Sequence, residues 1–200
     1  WTAPASGRYH VDTYGSGFNT TLGIYTGSSV GALTPVASNN DSAGVTSAVN
    51  FDAVAGTTYS IALDGYNDAE GSINLTWYLW NGDFASATVL TGRSGDASGF
   101  NLGGNKESGE SNHALNAGGA SVWYRWTAPA SGSVTFDTEG SSIDSLLAVY
   151  TGTSVSALGT AVASNDDLDF DANIYTSRVN FNAVAGRTYR IAVDGYRGSS

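Results

Sequence analysis

The side chains best suited to chemistry are carboxylates and amides that follow predicted strands in the second half of the chain. They are Asp137, Asp144, Asn165, Asp166 and Asp167. Calcium takes about six to eight oxygen ligands from flexible loops and prefers sites with several carboxylates. The pattern therefore predicts a calcium site, and Ca²⁺ is the cofactor that we expect. The alternative is that these side chains cap turns by bonding to nearby backbone.

The first half of the chain carries a less acidic version of the same set. Its members are Asp12, Asn19, Asn39, Asn40 and Asp41. Amide oxygens can bind calcium, but fewer carboxylates attract a divalent cation less strongly. We therefore expect the second half of the chain to bind calcium more tightly than the first.

A second cluster combines carboxylates with histidine. Glu107, Glu110 and His113 lie close together in a loop before a predicted strand. Such a cluster could bind a metal or orient a partner, although one histidine without cysteine is weak support for zinc. The alternative interpretation is a hydrogen-bonded loop that bridges two strands.

Aromatic residues provide a third kind of candidate site. Tyr66, Tyr78 and Trp80 are the aromatic residues that we expect to be exposed and available to a partner. Exposed aromatic faces stack on sugars or form contacts between modules. Trp77 and Trp123 fall within predicted strands, so we expect both to lie in the core.

One serine motif of the kind found in hydrolases occurs in the chain. Residues Gly27–Gly31 fit the pattern G-x-S-x-G. A hydrolase places this serine between a strand and a helix, and no helical pattern follows here. His10 is replaced by Thr135 in the second half of the chain, so no serine–histidine pair is repeated. We therefore expect no catalytic residues and no enzymatic activity.

Composition excludes several classes of protein. The formal net charge is −10, and the chain has only 8 lysines and arginines. Phosphate binding needs clustered basic residues, so we expect no nucleic-acid partner. No apolar run is long enough to form a transmembrane helix, so we expect no membrane insertion. Abundant Gly, Ser, Thr, Asn and Asp favour short strands joined by turns and disfavour helices.

The sequence repeats itself. Trp-Thr-Ala-Pro-Ala-Ser-Gly occurs at Trp1–Gly7 and again at Trp126–Gly132, and the match continues to the Asp-Gly-Tyr motif of each copy. We therefore expect two modules, residues 1–80 and residues 81–200, from a longer repetitive protein. The first module lacks its N-terminal strands and the second lacks its last strand. The missing strands come either from further along the same chain or from a neighbouring chain.

Alternation of apolar and polar residues with a period of two predicts the strands. In Ile73–Leu79 the odd-numbered residues are apolar, and we expect them to face the core. In the strand that ends at Trp126, the residues Val122, Tyr124 and Trp126 share one face. Short strands between glycine-containing turns are typical of sandwiches and jelly rolls. The expected fold is all-β, with tandem jelly-roll-like antiparallel β-sandwiches.

Several stretches resemble the bacterial pre-peptidase C-terminal (PPC) domain. They are Asn81–Ala87, Lys106–His113, Ser121–Pro129, Tyr150–Gly152, Asn165–Asp167 and Asp194–Tyr196. The resemblance implies a secreted, jelly-roll-like β-sandwich of the kind found beside proteases and in large bacterial surface proteins. It also implies a range of ligands, because some members of the family contact collagen, polysaccharide or calcium.

Together these features predict a non-catalytic, extracellular structural or adhesive repeat of a long secreted or surface protein of a bacterium. We expect other copies of the module, in the same or neighbouring chains, to be its partners. Head-to-tail stacking or strand complementation would then build a fibre. The alternative is a carbohydrate- or protein-binding accessory module of a secreted hydrolase, with polysaccharide or an extracellular protein as its partner.

Overall fold

Strands and loops make up almost all of the backbone in the computed structural model, which describes residues 1–42 and 44–200. The helical segments of this part of the chain are short 3-10 turns at Val30–Ala32, Tyr66–Asp68, Phe84–Ser86, Val155–Ala157 and Tyr196–Gly198. No helix within these residues has the length and hydropathy needed to cross a membrane. The scarcity of good helix formers explains this outcome, and the all-β prediction is confirmed.

The first of two compact units comprises Trp1–Trp80. Its strands are β1 (Gly7–Asp12), β2 (Thr20–Thr26), β3 (Thr34–Asn39), β4 (Ala48–Ala53), β5 (Ser60–Gly65) and β6 (Thr76–Leu79). They form two three-stranded sheets with the strand orders β4-β1-β6 and β3-β2-β5. The strand pairs in these sheets are antiparallel among the described residues.

The core of the first unit draws on both of its sheets. Its larger buried residues are Tyr9, Val11, Leu22, Ile24, Val49, Phe51 and Tyr59. Trp1 packs on this cluster, with its ring centroid 4.8 Å from that of Tyr9. Burial of each large apolar side chain contributes about 1.5–3 kcal/mol, so this cluster accounts for much of the stability of the unit.

The second compact unit comprises Asn81–Ser200. Its strands are β7 (Thr88–Leu90), β8 (Val122–Thr127), β9 (Gly132–Asp137), β10 (Ser145–Tyr150), β11 (Ala163–Asn165), β12 (Arg178–Ala183) and β13 (Thr188–Gly195). They form a five-stranded sheet of order β11-β10-β13-β8-β7 and a two-stranded sheet of order β12-β9. The pairs are antiparallel apart from β7 and β8, which run parallel. The predicted β-sandwich class is confirmed.

The larger sheet of the second unit has a hydrophobic cluster on each face. Val122, Tyr124 and Trp126 belong to one cluster, so their predicted shared face is confirmed. The other cluster places Phe84, from the segment before β8, against the ring of Trp123. Trp123 is fully buried there, as predicted. The segment before β8 therefore covers a sheet face that would otherwise be open to solvent.

The strand β6 is shorter and more exposed than the sequence predicts. It begins at Thr76, whereas the predicted strand begins at Ile73. Trp77 pairs with Val11, which is in the core, so Trp77 and Leu79 lie on the inner face of their sheet. They are nevertheless 52 % and 44 % exposed. The prediction of a buried Trp77 is wrong because, among the described strands, the opposite sheet of this unit ends at β5.

Candidate metal centre

Three carboxylates of the second unit meet at one end of its larger sheet. Asp144 immediately precedes β10, and Asp166 and Asp167 immediately follow β11. Because β10 and β11 are antiparallel neighbours, the start of one lies beside the end of the other. One ligand oxygen from each residue lies within 4.8 Å of the other two. Ca–O distances of about 2.3–2.6 Å allow oxygens this far apart to share one ion.

Each of the three carboxylates also has an oxygen without a hydrogen-bond partner among the described residues. The Oδ1 atoms of Asp144, Asp166 and Asp167 are shielded from solvent and have no hydrogen-bond partner among the described residues. A shielded carboxylate oxygen without a donor costs free energy unless another interaction compensates for its lost hydration. A cation placed between the three side chains would supply that interaction.

Burial and mutual repulsion both oppose ionisation of this cluster. Burial raises the pKa of Asp144 above its usual range, and the neighbouring carboxylate of Asp167 raises it further. Burial also raises the pKa of Asp166, as do Asp167 and Asp144, while a 2.8 Å hydrogen bond from Asn116 Nδ2 acts in the opposite direction. A divalent cation reverses this preference, because it stabilises the ionised carboxylates.

A buried group of hydroxyl side chains fixes the loops beside the carboxylates. Thr138 Oγ1 lies 2.6 Å from Ser145 Oγ and accepts the backbone N–H of Ser177 at 2.8 Å. Ser177 Oγ also contacts the carbonyl oxygens of Ser145 and Asp166. The backbone of Asp166 is therefore held in place independently of its side chain.

The first unit repeats this hydroxyl group. Thr13 Oγ1 lies 2.6 Å from Thr20 Oγ1 and accepts the N–H of Ser47 at 2.9 Å. Sequence reasoning based on charge overlooks these residues. Their signal in the sequence is the recurrence of threonine or serine at the matched positions of the two copies.

In the first unit, two amides and one carboxylate occupy the positions that correspond to Asp144, Asp166 and Asp167. They are Asn19, Asn40 and Asp41. Asn19 Oδ1 and Asn40 Oδ1 are shielded and have no hydrogen-bond partner within residues 1–42 and 44–200. Unsatisfied oxygens are therefore present in both units, but the three carboxylates of the second unit are reduced to one in the first.

Asp137 and Asn165, which the sequence assigns to the calcium set, have other partners. Asp137 is exposed, and its Oδ1 accepts the N–H of Glu139 at 3.2 Å while Oδ2 lies 3.7 Å from Arg178 Nε. Asn165 Oδ1 accepts the N–H of Arg178 at 2.9 Å, and Nδ2 donates to the carbonyl of Asp167 at 3.0 Å. These side chains satisfy local backbone and an exposed ion pair, and Asp137 lies outside the three-carboxylate cluster, so their assignment to the calcium set stays a prediction.

Asp12 and Asn39 in the first unit also have local hydrogen-bond partners, and their assignment to calcium likewise stays a prediction. Asp12 is buried, and its Oδ1 accepts the N–H of Tyr14 at 2.9 Å. Asn39 Oδ1 accepts the N–H of Ala48 at 3.2 Å. Of the five residues that the sequence assigns to calcium in this unit, Asn19, Asn40 and Asp41 occupy the positions that correspond to the carboxylate cluster.

Glu107, Glu110 and His113 form a closed network inside the second unit. His113 is 0 % exposed, with Nε2 2.8 Å from Glu110 Oε1 and Nδ1 2.9 Å from the hydroxyl of Tyr150. Glu110 Oε2 accepts the N–H of Glu107 at 2.7 Å, and Glu107 Oε2 accepts the N–H of Phe84 at 2.5 Å. Their assignment to an interface is corrected, because the network ties the segment before β8 to β10.

The predicted exposed aromatic residues divide into two groups. Tyr66 is 46 % exposed, as predicted. Trp80 is only 2 % exposed, and its ring stacks on His10 with centroids 5.4 Å apart. Tyr78 is half-buried beside the same histidine, at 5.0 Å. The expected exposure of Trp80 is wrong because Tyr78 and Trp80 both point to the outer side of the sheet, where His10 lies.

Comparison with known proteins concerns mainly the second unit. Residues 120–195 match the family model of the bacterial pre-peptidase C-terminal domain. The match includes β8 to β13 and all three clustered carboxylates. No curated protein matches the chain. Residues 120–195 are therefore PPC-like, and the resemblance seen in the sequence is confirmed for this part.

Proposed function

We propose that the chain is a non-catalytic, extracellular structural or adhesive repeat of a secreted or surface protein, with calcium bound in its second unit. The PPC domain at residues 120–195 supports the non-catalytic role, because domains of this family are non-catalytic modules. Their occurrence in secreted bacterial proteins supports the extracellular location.

The observation that carries the proposal is the complementary pattern of open sheet edges. In the first unit β6 adds to β1, whereas no described strand adds to the corresponding edge of β9 in the second unit. In the second unit β8 adds to β13, whereas no described strand adds to the corresponding edge of β5 in the first unit. Open edges pair readily with strands from other modules. The strand that completes each edge comes from further along the same chain or from another copy of the module, and the second source would build a fibre by head-to-tail stacking or strand complementation.

Imaging and sedimentation test the assembly. We expect negative-stain electron microscopy of the native material to show filaments, because heterologous contacts that do not close build open assemblies. We also expect the average mass in sedimentation to rise with protein concentration. A monodisperse monomer at concentrations far above micromolar would contradict assembly.

Calcium binding by Asp144, Asp166 and Asp167 is the second part of the proposal. Their close oxygens and their shielded, unpartnered Oδ1 atoms support it. Backbone carbonyls and water supply the remaining ligands at many calcium sites, so three carboxylates are sufficient charged ligands. A bound ion would offset the repulsion between the carboxylates and hold the ends of β10 and β11 together.

Calorimetric titration of the full chain with calcium, starting from metal-free protein, tests this site. We expect Asp166→Asn to weaken binding by about tenfold or more, because it removes a charged ligand. The matched control is Asp171→Asn, which changes an exposed carboxylate outside the cluster and should leave the affinity unchanged. Absence of binding at millimolar calcium, or the same loss in both variants, would remove calcium from the proposal.

A carbohydrate- or protein-binding accessory role beside a secreted hydrolase is the second candidate function. The exposed rings of Tyr66 and Trp77 in the first unit favour it. Stacking of an exposed ring on a sugar does not depend on the carboxylates of Asp144, Asp166 and Asp167. Binding on a glycan array that is lost in Tyr66→Ala or Trp77→Ala, and kept in Asp166→Asn, would favour this role over the structural one.

A further inference from the structure

The segment that follows β7 in the second unit is exposed along its whole length. Every residue from 91 to 100 is exposed, and none of them lies in a strand or a helix. Within the part of the chain that the structure describes, no backbone hydrogen bond involves residues 93–98. A protease must draw several residues of its substrate into its active site, so exposed backbone without hydrogen bonds is the backbone that it cuts most readily.

This segment contains one basic side chain among small residues. From Thr91 to Gly99 it reads Thr-Gly-Arg-Ser-Gly-Asp-Ala-Ser-Gly, and Arg93 is its only arginine or lysine. Glycine and serine let the backbone adopt the extended form that a protease cleft requires. Trypsin-like proteases bind an arginine or lysine side chain in a pocket with a carboxylate at its base. The Arg93–Ser94 bond therefore has both the backbone and the side chain that such an enzyme needs.

The other basic residues of the chain are held by strands or by hydrogen-bonded loops and turns. Arg125 is the best matched of them, because it is exposed too but its backbone pairs with Val89 on one side and Arg190 on the other. Lys106 lies in a loop, and its Nζ donates to two loop carbonyls at 2.8 Å. The remaining basic residues in strands or turns are Arg8, Arg178, Arg187, Arg190 and Arg197. Arg93 thus differs from them in its backbone and not in its side chain.

The chain before the Arg93–Ser94 bond is fixed to the larger sheet of the second unit. All three residues of β7 pair with β8. The carbonyl of Gly92 accepts the Nε1–H of Trp126 at 3.0 Å. Phe84 is buried with its ring centroid 5.2 Å from that of Trp123, and the guanidinium of Arg190 lies 4.2 Å from the Phe84 centroid. These contacts hold the chain in place up to the residue before Arg93.

The chain after the Arg93–Ser94 bond is fixed separately. Asn101 is buried, and its Nδ2 donates to the carbonyl of Ser199 at 2.7 Å while its own carbonyl accepts the N–H of Gly104 at 2.8 Å. Further along, His113 is fully buried beneath the same segment of chain. None of these contacts passes through residues 93–98, so a cut there leaves the anchors on both sides in place.

We propose that the Arg93–Ser94 peptide bond is a processing site for an endoprotease that recognises arginine. Water adds across this bond, which leaves a carboxylate on Arg93 and an amino group on Ser94. The product is a two-chain form in which β7, Phe84 and Gly92 keep their contacts with the rest of the second unit. The fold remains, but the covalent link between the two parts of the chain is replaced by contacts that can separate.

Limited digestion of the folded full chain with trypsin, followed by intact-mass spectrometry, tests the site. We expect the first products to be residues 1–93 and 94–200. Arg93→Gln should slow the loss of intact chain by about tenfold or more, because the remaining sites require local opening before they can be cut. The matched control is Arg125→Gln, which removes an exposed arginine from a paired strand and should leave the rate unchanged. Earlier cutting at another site, or a rate that Arg93→Gln does not change, would overturn the proposal.

Size-exclusion chromatography of the cut protein tests the two-chain form. At about 10 µM both fragments should elute together, because the contacts on each side of the cut are intact. Phe84→Ala should weaken their association by about tenfold or more, since it removes the buried ring that packs on Trp123. Val89→Ala, which shortens an exposed side chain of the same segment, should not weaken it. Separation of the wild-type fragments, or equal weakening in both variants, would overturn the two-chain form.

Discussion

Asp194 in the second unit is fully buried, whereas Asp64, which occupies the same place in the first unit, lies at the surface. Both begin the same Asp-Gly-Tyr motif at the end of a strand. The difference is the segment before β8, which reaches Asp194 through the N–H groups of Gly119 and Ala120. A repeated motif thus acquires its role from the strands around it, because the same carboxylate is an internal anchor in one unit and an exposed side chain that bonds to its own neighbour in the other.

The carboxylate cluster of Asp144, Asp166 and Asp167 shows a second difference between the units. Both have shielded side-chain oxygens without partners at matched positions, above a matched group of buried hydroxyls. The second unit has three carboxylates there, and the first has one carboxylate and two amides. A common scaffold can therefore carry sites of different calcium affinity through a change in charge alone.

The largest predicted contrast comes from removing the two equivalent carboxylates. Asp194→Ala should destabilise the second unit by about 3 kcal/mol, because the N–H groups of Gly119, Ala120 and Gly195 lose their acceptor. Asp64→Ala should change the stability of the first unit by less than about 0.5 kcal/mol, since the residue is exposed. Amide exchange in β13 and β5 measures the two effects within one chain. Equal losses would contradict the assigned difference in role.

The buried hydroxyl groups should instead respond alike in both units. Ser177→Ala and Ser47→Ala each remove a buried hydroxyl that bonds to a neighbouring hydroxyl and to a loop carbonyl, so each should cost about 1–3 kcal/mol. Denaturant unfolding followed by amide exchange in each unit provides the measurement. A cost in only one unit would show that the loops are held differently.

Substitutions that give the first unit the carboxylates of the second test whether charge explains the expected difference in calcium affinity. Asn19→Asp combined with Asn40→Asp gives the first unit the three carboxylates of the second. Calcium affinity of the first unit should then rise by about tenfold or more, because charge count sets affinity at such sites. Calorimetry should detect a second site of comparable strength. Asn67→Asp, an exposed change away from the cluster, is the control and should have no effect.

The smallest predicted effect is a pH dependence confined to the second unit. The pKa values of Asp144 and Asp166 are raised in the fold, first by burial and then by neighbouring carboxylates. The folded unit therefore binds protons more tightly than the unfolded chain, and without metal it loses stability as pH rises above about 3.9. Calcium should remove this loss.

The Asp144→Asn variant isolates that contribution from other titrating groups. Unfolding free energies of the wild type and the variant, measured without metal at several pH values, should diverge as pH rises, with the variant becoming the more stable. A difference that is constant with pH would contradict the raised pKa of Asp144.

Much of the fold follows from the sequence because strand periodicity reports which face of a sheet is apolar. The shared face of Val122, Tyr124 and Trp126 is an example. Periodicity cannot tell whether an opposite sheet extends far enough to cover that face. Trp77 has the correct face and is still exposed for this reason. Trp80 is hidden by a ring stack with His10 that no local pattern encodes.

The candidate metal centre follows from the sequence only in part. Acidic residues at strand ends correctly indicate Asp144, Asp166 and Asp167 as neighbours. Asp137 has the same residue type in a similar position, but its carboxylate accepts a hydrogen bond from its own turn and pairs with Arg178. The direction in which a strand-end carboxylate turns depends on cross-strand register, which involves residues far away in sequence.

Residue-resolved calcium titration of the metal-free full chain by NMR tests the central comparison most directly. Amides around Asp144, Asp166 and Asp167 should shift first and saturate with one equivalent of bound ion. Amides around Asn19, Asn40 and Asp41 should respond only at much higher calcium. Equal affinity in the two units, tighter binding in the first, or no response at the three carboxylates would contradict it.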